Sequence, residues 1–388
     1  MSETLLDYHV DITDEMIEEA RSFSGMKLRV EPWNYEATLD TIRHYAWGIG
    51  DANPLWCDET YAESSPHGTV VAPPTFLYSS YDGAIGLGFP GVQPFYSGTE
   101  WRFHEVVRRG DRIRPEATMG DIEIREGANA GRFVIQRVHT RYVRESDGVL
   151  VAEATAGTFR VARSRASGGL RYEQRGPHEF TNEELDDIAA QALSEPRRGD
   201  KPRYIDEVQV GESVPPVVKG PLKQITMTAY YAGCVGSPGY KADEIAWQYR
   251  DWALNDPEKL PNNYDPTYFS ERVLPSMGHQ DAAVARELGM PGAYGNGPQK
   301  CGWMAHAVTN WMGDHGHLQQ FSVRLRRPDV FGDVTWCGGT VTGVEVRNGS
   351  EGIVTMDLHA KNQRGEVTAT GSAEVKLPLR NGRSTDGA

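Results

Sequence analysis

Two stretches of this chain repeat one order of signals, and that duplication constrains its fold more than any other feature. The first begins at a Gly110-Asp111 turn and continues through GRFVIQRVHTRYVRESDGVLVAEATAGTFRVAR. The second begins at Gly332-Asp333 and continues through GIVTMDLHAKNQRGEVTATGSAEVKLP. Each holds alternating strands, a polar hairpin turn (Ser146-Asp147-Gly148; Gln363-Arg364-Gly365) and a closing strand of small and β-branched residues. Internal duplication produces such an order, and 388 residues suit two fused copies of one unit.

A hydrophobic content of 39% describes a soluble globular protein. The formal charge of −14 argues against nucleic acid or an anionic membrane as a general partner. It leaves room for a local basic pocket, with Arg108-Arg109 and Arg324-Leu325-Arg326-Arg327 as candidate stripes or plain solvated edges. Cys57, Cys234, Cys301 and Cys337 are far apart, so neither a disulfide framework nor a zinc site is expected. The acidic amino terminus does not read as a signal peptide, and no apolar run reaches membrane-spanning length. A reducing cytoplasm is the expected compartment. No GxGxxG or P-loop pattern points to a nucleotide fold.

Between the copies, residues 164 to 205 have a linker composition and one expected helix, with Thr181 and Glu184 spaced as a capping box. In the first copy Leu39, Ile42, Ala46 and Ile49 follow helical spacing, and Gly48 and Gly50 suit the helix end. Asp51 then sits where the macrodipole disfavours negative charge, which raises a carboxyl pKa and suits a general base; a turn or capping role is the alternative. In the second copy Cys301, Met304, Val308 and Trp311 share a helical face and read as core. Residues 240 to 275 are rich in Trp, Tyr, Asp, Asn and Pro and form an insertion, expected as a lid, a specificity loop or a surface excursion.

The run Gly50-Asp51-Ala52-Asn53-Pro54-Leu55-Trp56-Cys57-Asp58 resembles the hydratase signature of the MaoC-like hot-dog family, with Trp56 where that family has histidine. Gly278-His279-Gln280-Asp281 through Ala285 resembles the tail of the same signature, and Ser237 stands where the acid is expected. VVAPPTF at 70 to 76 is similar to the amino-terminal dehydratase domain of fused MaoC proteins. One copy thus keeps the acid and the other the histidine.

The resemblance implies an α+β double hot-dog, two long helices each wrapped by an antiparallel sheet, with the sheets joined. The units are residues 1–165 and 206–388, with a linker at 166–205. It also implies hydration of a 2-enoyl-CoA thioester or the reverse dehydration, in fatty acid metabolism; a non-catalytic acyl-CoA-binding subunit and a hot-dog thioesterase are the alternatives. His279, Asp51 and Asn296 are the expected catalytic residues. Gly297, Asn53, Gln299, Asp281 and Tyr294 are expected to contact substrate, with helix-start N–H groups near Gly297 binding the thioester oxygen. Asp243, Glu244, Asp251 and Asp265 are candidates for the missing acid. No metal or organic cofactor is expected beyond the coenzyme A thioester itself, and the expected assembly is a homodimer or a heteromer with another hot-dog protein.

Overall fold

A computed structural model describes residues 11–84, 86–127, 131–162, 172, 176–234, 241–263 and 275–380. Local sequence sets where its elements begin. Thr13 opens α1 (Asp14–Ser22) by accepting the Met16 N–H, and Thr38 opens α2 (Leu39–Gly48) by accepting that of Thr41. Helix α2 buries Ile42, Tyr45 and Ala46, the face that the apolar spacing marks. Gly50, at φ +65°, turns the chain out of the helix. Asn53 caps α3 (Pro54–Cys57) and Asp58 caps α4 (Glu59–Ser64).

The chain then departs from the expected pattern. Where the first unit was expected to carry a long helix, it has only a 3-10 turn, Pro74–Ser79. Pro73 and Pro74 suit the start of this turn, where no N–H is needed, and Gly83, at φ +63°, redirects the chain four residues after its end. After β1 (Gln93–Phe103), β2 (Ile113–Gly127), β3 (Gly131–Arg144) and β4 (Leu150–Val161), the linker forms α5 (Asn182–Leu193) behind the expected Thr181–Glu184 capping box. The second half holds β5 (Ser213–Lys219), α6 (Gln224–Gly233), α7 (Asp243–Asn255), α8 (Ala282–Glu287) and α9 (Gly297–Met312). It ends with β6 (His317–Leu325), β7 (Thr335–Arg347), β8 (Glu351–Asn362) and β9 (Val367–Leu377). Helix α9 is the long hot-dog helix, roughly 24 Å from end to end. Every residue from Pro298 to Met312 is buried, including Cys301, Met304, Val308 and Trp311.

All strands lie in one antiparallel sheet of order β2-β3-β4-β1-β6-β9-β8-β7-β5. Strands β1–β4 and β6–β9 have the same internal order, β5 adds an edge beside β7, and the halves meet where β1 pairs β6, with Trp101 opposite Phe321. The fold is therefore a double hot-dog with α9 as its single long helix among the described residues. Helices α2 and α6 pack closely against each other through glycines. A Cβ on Gly48 would lie 2.9 Å from the Tyr230 Cα, and one on Gly233 would lie 2.4 Å from the His44 carbonyl oxygen.

The described part of the insertion packs on the first half. Arg29 donates to the carbonyls of Pro257 and Glu258, and Glu31 accepts from Lys241, Tyr249 and Asn262. Asp243, Glu244 and Asp251 are exposed on α7, so they do not supply a buried site with an acid. Asp265 lies outside the described residues.

Candidate active site

His279 ends a 3-10 turn, Pro275–His279, beside the start of α9. Its Nδ1 lies 2.9 Å from the carbonyl oxygen of Tyr294. A carbonyl only accepts, so Nδ1 carries the hydrogen and Nε2 presents its lone pair. No partner meets Nε2 among the described residues. The ring stands edge-on to that of Tyr294, with centroids 4.4 Å apart. Burial pushes the imidazole down to about 4. His279 is thus a neutral base at pH 7, whereas a group titrating near neutrality was expected; the half-buried site disfavours the cation. Asp281, expected to contact substrate, has a capping role. It caps α8, accepting the N–H groups of Ala283 (2.7 Å) and Val284 (3.2 Å), so its role is to hold the turn that carries His279.

Tyr294 leads into α9, and the Gly295 N–H donates to Asp329 O at 2.8 Å. Asn296 occupies the cap position without capping, and its buried Oδ1 has no partner. Gln299 is fully buried; its Nε2 donates to Gly48 O at 3.3 Å and its Oε1 has no partner. Buried acceptors left open are uncommon and costly in a native core. They mark the first turn of α9 as a place that accommodates a polar group. Gly297 plays a different part from the one expected. A Cβ there would lie 2.6 Å from the Tyr96 ring, so the glycine admits that ring from β1 against the helix.

The signature of the first half lies nine residues further along α9, roughly 13 Å in axial rise. Asp51 is 2% exposed. It accepts from the Asn53 N–H at 3.0 Å and from Trp56 Nε1 at 2.9 Å. Its Oδ1 also lies 3.1 Å from Nε2 of His306, an α9 residue. Lys219 of β5 donates to Gly50 O at 2.8 Å and meets His306 Nδ1 at 2.7 Å. Burial is the main force raising the Asp51 carboxyl, against the pull of Lys219 and the Trp56 hydrogen bond. The expected cause was the helix macrodipole; desolvation dominates because the group is sealed. Glu195 and Arg197 of the linker close this cluster, with Arg197 donating to Asn310 Oδ1 at 3.0 Å and to Ala52 O at 3.3 Å.

His306, Lys219, Glu195, Arg197 and Asn310 were not singled out in the sequence. They come from a helix, a strand and a linker distant in the chain, with no motif spacing. The one available signal was a histidine and an asparagine, four apart, on a fully buried helix. Asn53 caps α3 by accepting the Leu55 N–H and does not point to chemistry of its own. On its other side Trp56 lines a cavity of about 40 Å³, walled mainly by Leu55, Val71, Leu77, Phe103 and Met312. Asp51 is not among its lining residues.

A family model described as the FAS1-like dehydratase domain region matches residues 22–154. A UPF0336 protein of Saccharopolyspora erythraea is 30% identical over 145 residues, 35% of this chain and 92% of that protein. Among solved structures, a MaoC-like dehydratase aligns with a TM-score of 0.61 at 17% identity, over 93% of this chain and 99% of that one. A conserved hypothetical protein of Mycobacterium tuberculosis, described as having a double hot-dog fold, aligns with a TM-score of 0.52 at 9% identity, over 92% of this chain and 96% of that one.

Proposed function

Since the chain belongs to the UPF0336 family and has the MaoC-like double hot-dog fold, we propose that it hydrates a 2-enoyl-CoA thioester to a 3-hydroxyacyl-CoA, or runs the reverse dehydration, at the start of α9. The observation that carries this reading is His279. Its tautomer is set by the Tyr294 carbonyl, and its open Nε2 faces no competing partner among the described residues. Hydration needs a base that takes a proton from water as its oxygen bonds to C3. A neutral imidazole with a fixed lone pair meets that need. The thioester oxygen gains negative charge as the reaction proceeds. The first-turn N–H groups of α9 and the positive end of its dipole suit that charge.

The test is hydration of 2-enoyl-CoA thioesters of graded chain length by the purified full chain. General acid–base catalysis contributes about 10²- to 10⁴-fold, so His279→Gln should lower kcat at least a hundredfold with the fold intact. A folded His279→Gln protein with near-normal turnover removes His279 from the mechanism.

A second reading rests on Asp51. Its sealed carboxylate supports a chain that binds an acyl thioester and leaves the chemistry to another hot-dog protein. Wild-type protein that binds enoyl-CoA but hydrates none of the series would establish that reading instead.

A further inference from the structure

The linker between the halves and the second half together enclose a cavity of about 300 Å³. Phe180 and Leu185 of the linker, with Pro221, Leu222 and Phe331 of the second half, form its apolar walls. The linker is fixed where it makes this wall. A Cβ on Gly332 would lie 2.5 Å from the His178 backbone N, so the glycine lets the linker rest directly on that turn. Phe180 packs with Ile188 of α5 against Val218 and Val334. Trp336 Nε1 donates to Gln191 Oε1 at 2.9 Å, and the Val218 N–H donates to Glu195 Oε1 at 2.7 Å.

The cavity borders the candidate site. A Cβ on Gly295, the residue after Tyr294, would lie 3.3 Å from Leu222 Cδ2 and 3.7 Å from the open Oε1 of Gln299. The Phe331 N–H donates to Ala293 O and the Gly332 N–H to Leu222 O, each at 2.8 Å. Two of its walls, Leu222 and Phe331, thus touch the segment 293–295 that carries Tyr294 and leads into α9. Elsewhere the lining is polar. Lys223 and His178 line the cavity and are exposed. No carboxylate pairs with Lys223 among the described residues. Helix α6 starts at the next residue, Gln224, and the first N–H groups of a helix lack intrahelical partners and favour negative charge. In a chain of formal charge −14, an uncompensated cation beside an apolar cavity selects an anionic group there. The volume is at the small end of the range for ligand sites. A ligand that suits both parts is a largely apolar arm with an anionic end.

We propose that this cavity binds the phosphopantetheine arm of the acyl thioester, which makes the linker part of the binding site. The arm lies against Phe180, Leu185, Leu222 and Phe331, its phosphate meets Lys223, and its thioester end reaches Gly295. This rests on the thioester half of the reading above and not on turnover. The arm is common to free coenzyme A and to a loaded acyl carrier protein.

Titration calorimetry of the full chain tests the assignment, with coenzyme A and a phosphopantetheine-loaded acyl carrier protein as probes. Lys223→Glu should raise Kd at least tenfold. An acid suits a helix start, so this variant keeps its fold. Leu185→Trp, which fills the cavity, should also raise Kd at least tenfold. Lys361→Glu, the same charge change at an exposed residue of β8, should leave Kd within threefold. Losses seen with coenzyme A identify the free thioester as the source of the arm, and losses confined to the loaded carrier identify a carrier protein. Wild type that binds neither probe overturns the proposal. So does binding that Lys223→Glu and Leu185→Trp leave within threefold, or that Lys361→Glu weakens as much as Lys223→Glu; hydration of enoyl-CoA by the same wild type would leave the hydration reading standing. The expected losses in a protein that hydrates no enoyl-CoA uphold the cavity and remove that reading. Should Leu185→Trp not fold, the comparison of Lys223→Glu with Lys361→Glu decides alone.

Discussion

Trp56 shows how one substitution redirects a conserved-looking motif. Its indole donates to Asp51 and its ring closes the space beside the signature, so the acid of the first half is a buried structural group. Trp56→Phe removes that donor and leaves a carboxylate oxygen short of a partner. It should cost about 1–3 kcal/mol in urea unfolding without lowering turnover. Asp51→Ala strips Lys219 and His306 of their counter-group and should cost about 3–5 kcal/mol; an unchanged unfolding midpoint would contradict the sealed cluster. The imidazoles carry a pH signature too. His279 and His306 are both held below the ordinary histidine value by burial. The unfolded chain therefore binds more protons than the native one below about pH 6.5. The stability these groups contribute is present above that pH and is lost as pH falls below it, for His279 down to about 4. Thermal scans of wild type and His279→Gln across this range should differ in slope, with Tm falling less on acidification in the variant.

At the scale of elements, the contact between α2 and α6 tolerates little change. The atoms facing Gly48 and Gly233 are backbone, which moves only with the helix itself. Gly48→Ala should destabilise by about 1–3 kcal/mol, read as a lowered Tm, because overpacking forces the two helices apart. Much of this level was legible in the sequence. Helix α2, the capping box of α5, both hairpin turns and the buried face of α9 all follow from local spacing and turn chemistry. The Pro74–Ser79 turn was not, because a run such as FLYSSY is apolar enough for a helix and only tertiary context stops it. The site was half legible. Motif likeness found His279 and Asp51, since their neighbours in sequence are their neighbours in space. His306 and Lys219 escaped because their partners lie far away in the chain and no spacing rule joins them.

At the scale of the whole molecule, the β1–β6 pairing makes the two halves one sheet. Cutting the chain in the linker and expressing the first half alone would expose the β1 edge, and unpaired edges recruit other strands. That fragment should self-associate in size-exclusion chromatography, while the full chain should unfold in a single calorimetric transition. Two well-separated transitions would show that the junction does not couple the halves.

The same junction bears on how such a protein can change over generations. When two identical subunits form a hot-dog pair, every substitution appears on both sides at once. A histidine lost from one side is lost from the other. Joining the copies in one chain releases that constraint, because each half is encoded separately while their one-to-one ratio is guaranteed. One half can then surrender its histidine to a tryptophan and its long helix to a turn. The other can surrender its acid. The asymmetry between Trp56 and His279 is thus one that covalent fusion permits and that a symmetric dimer of one gene product cannot reach.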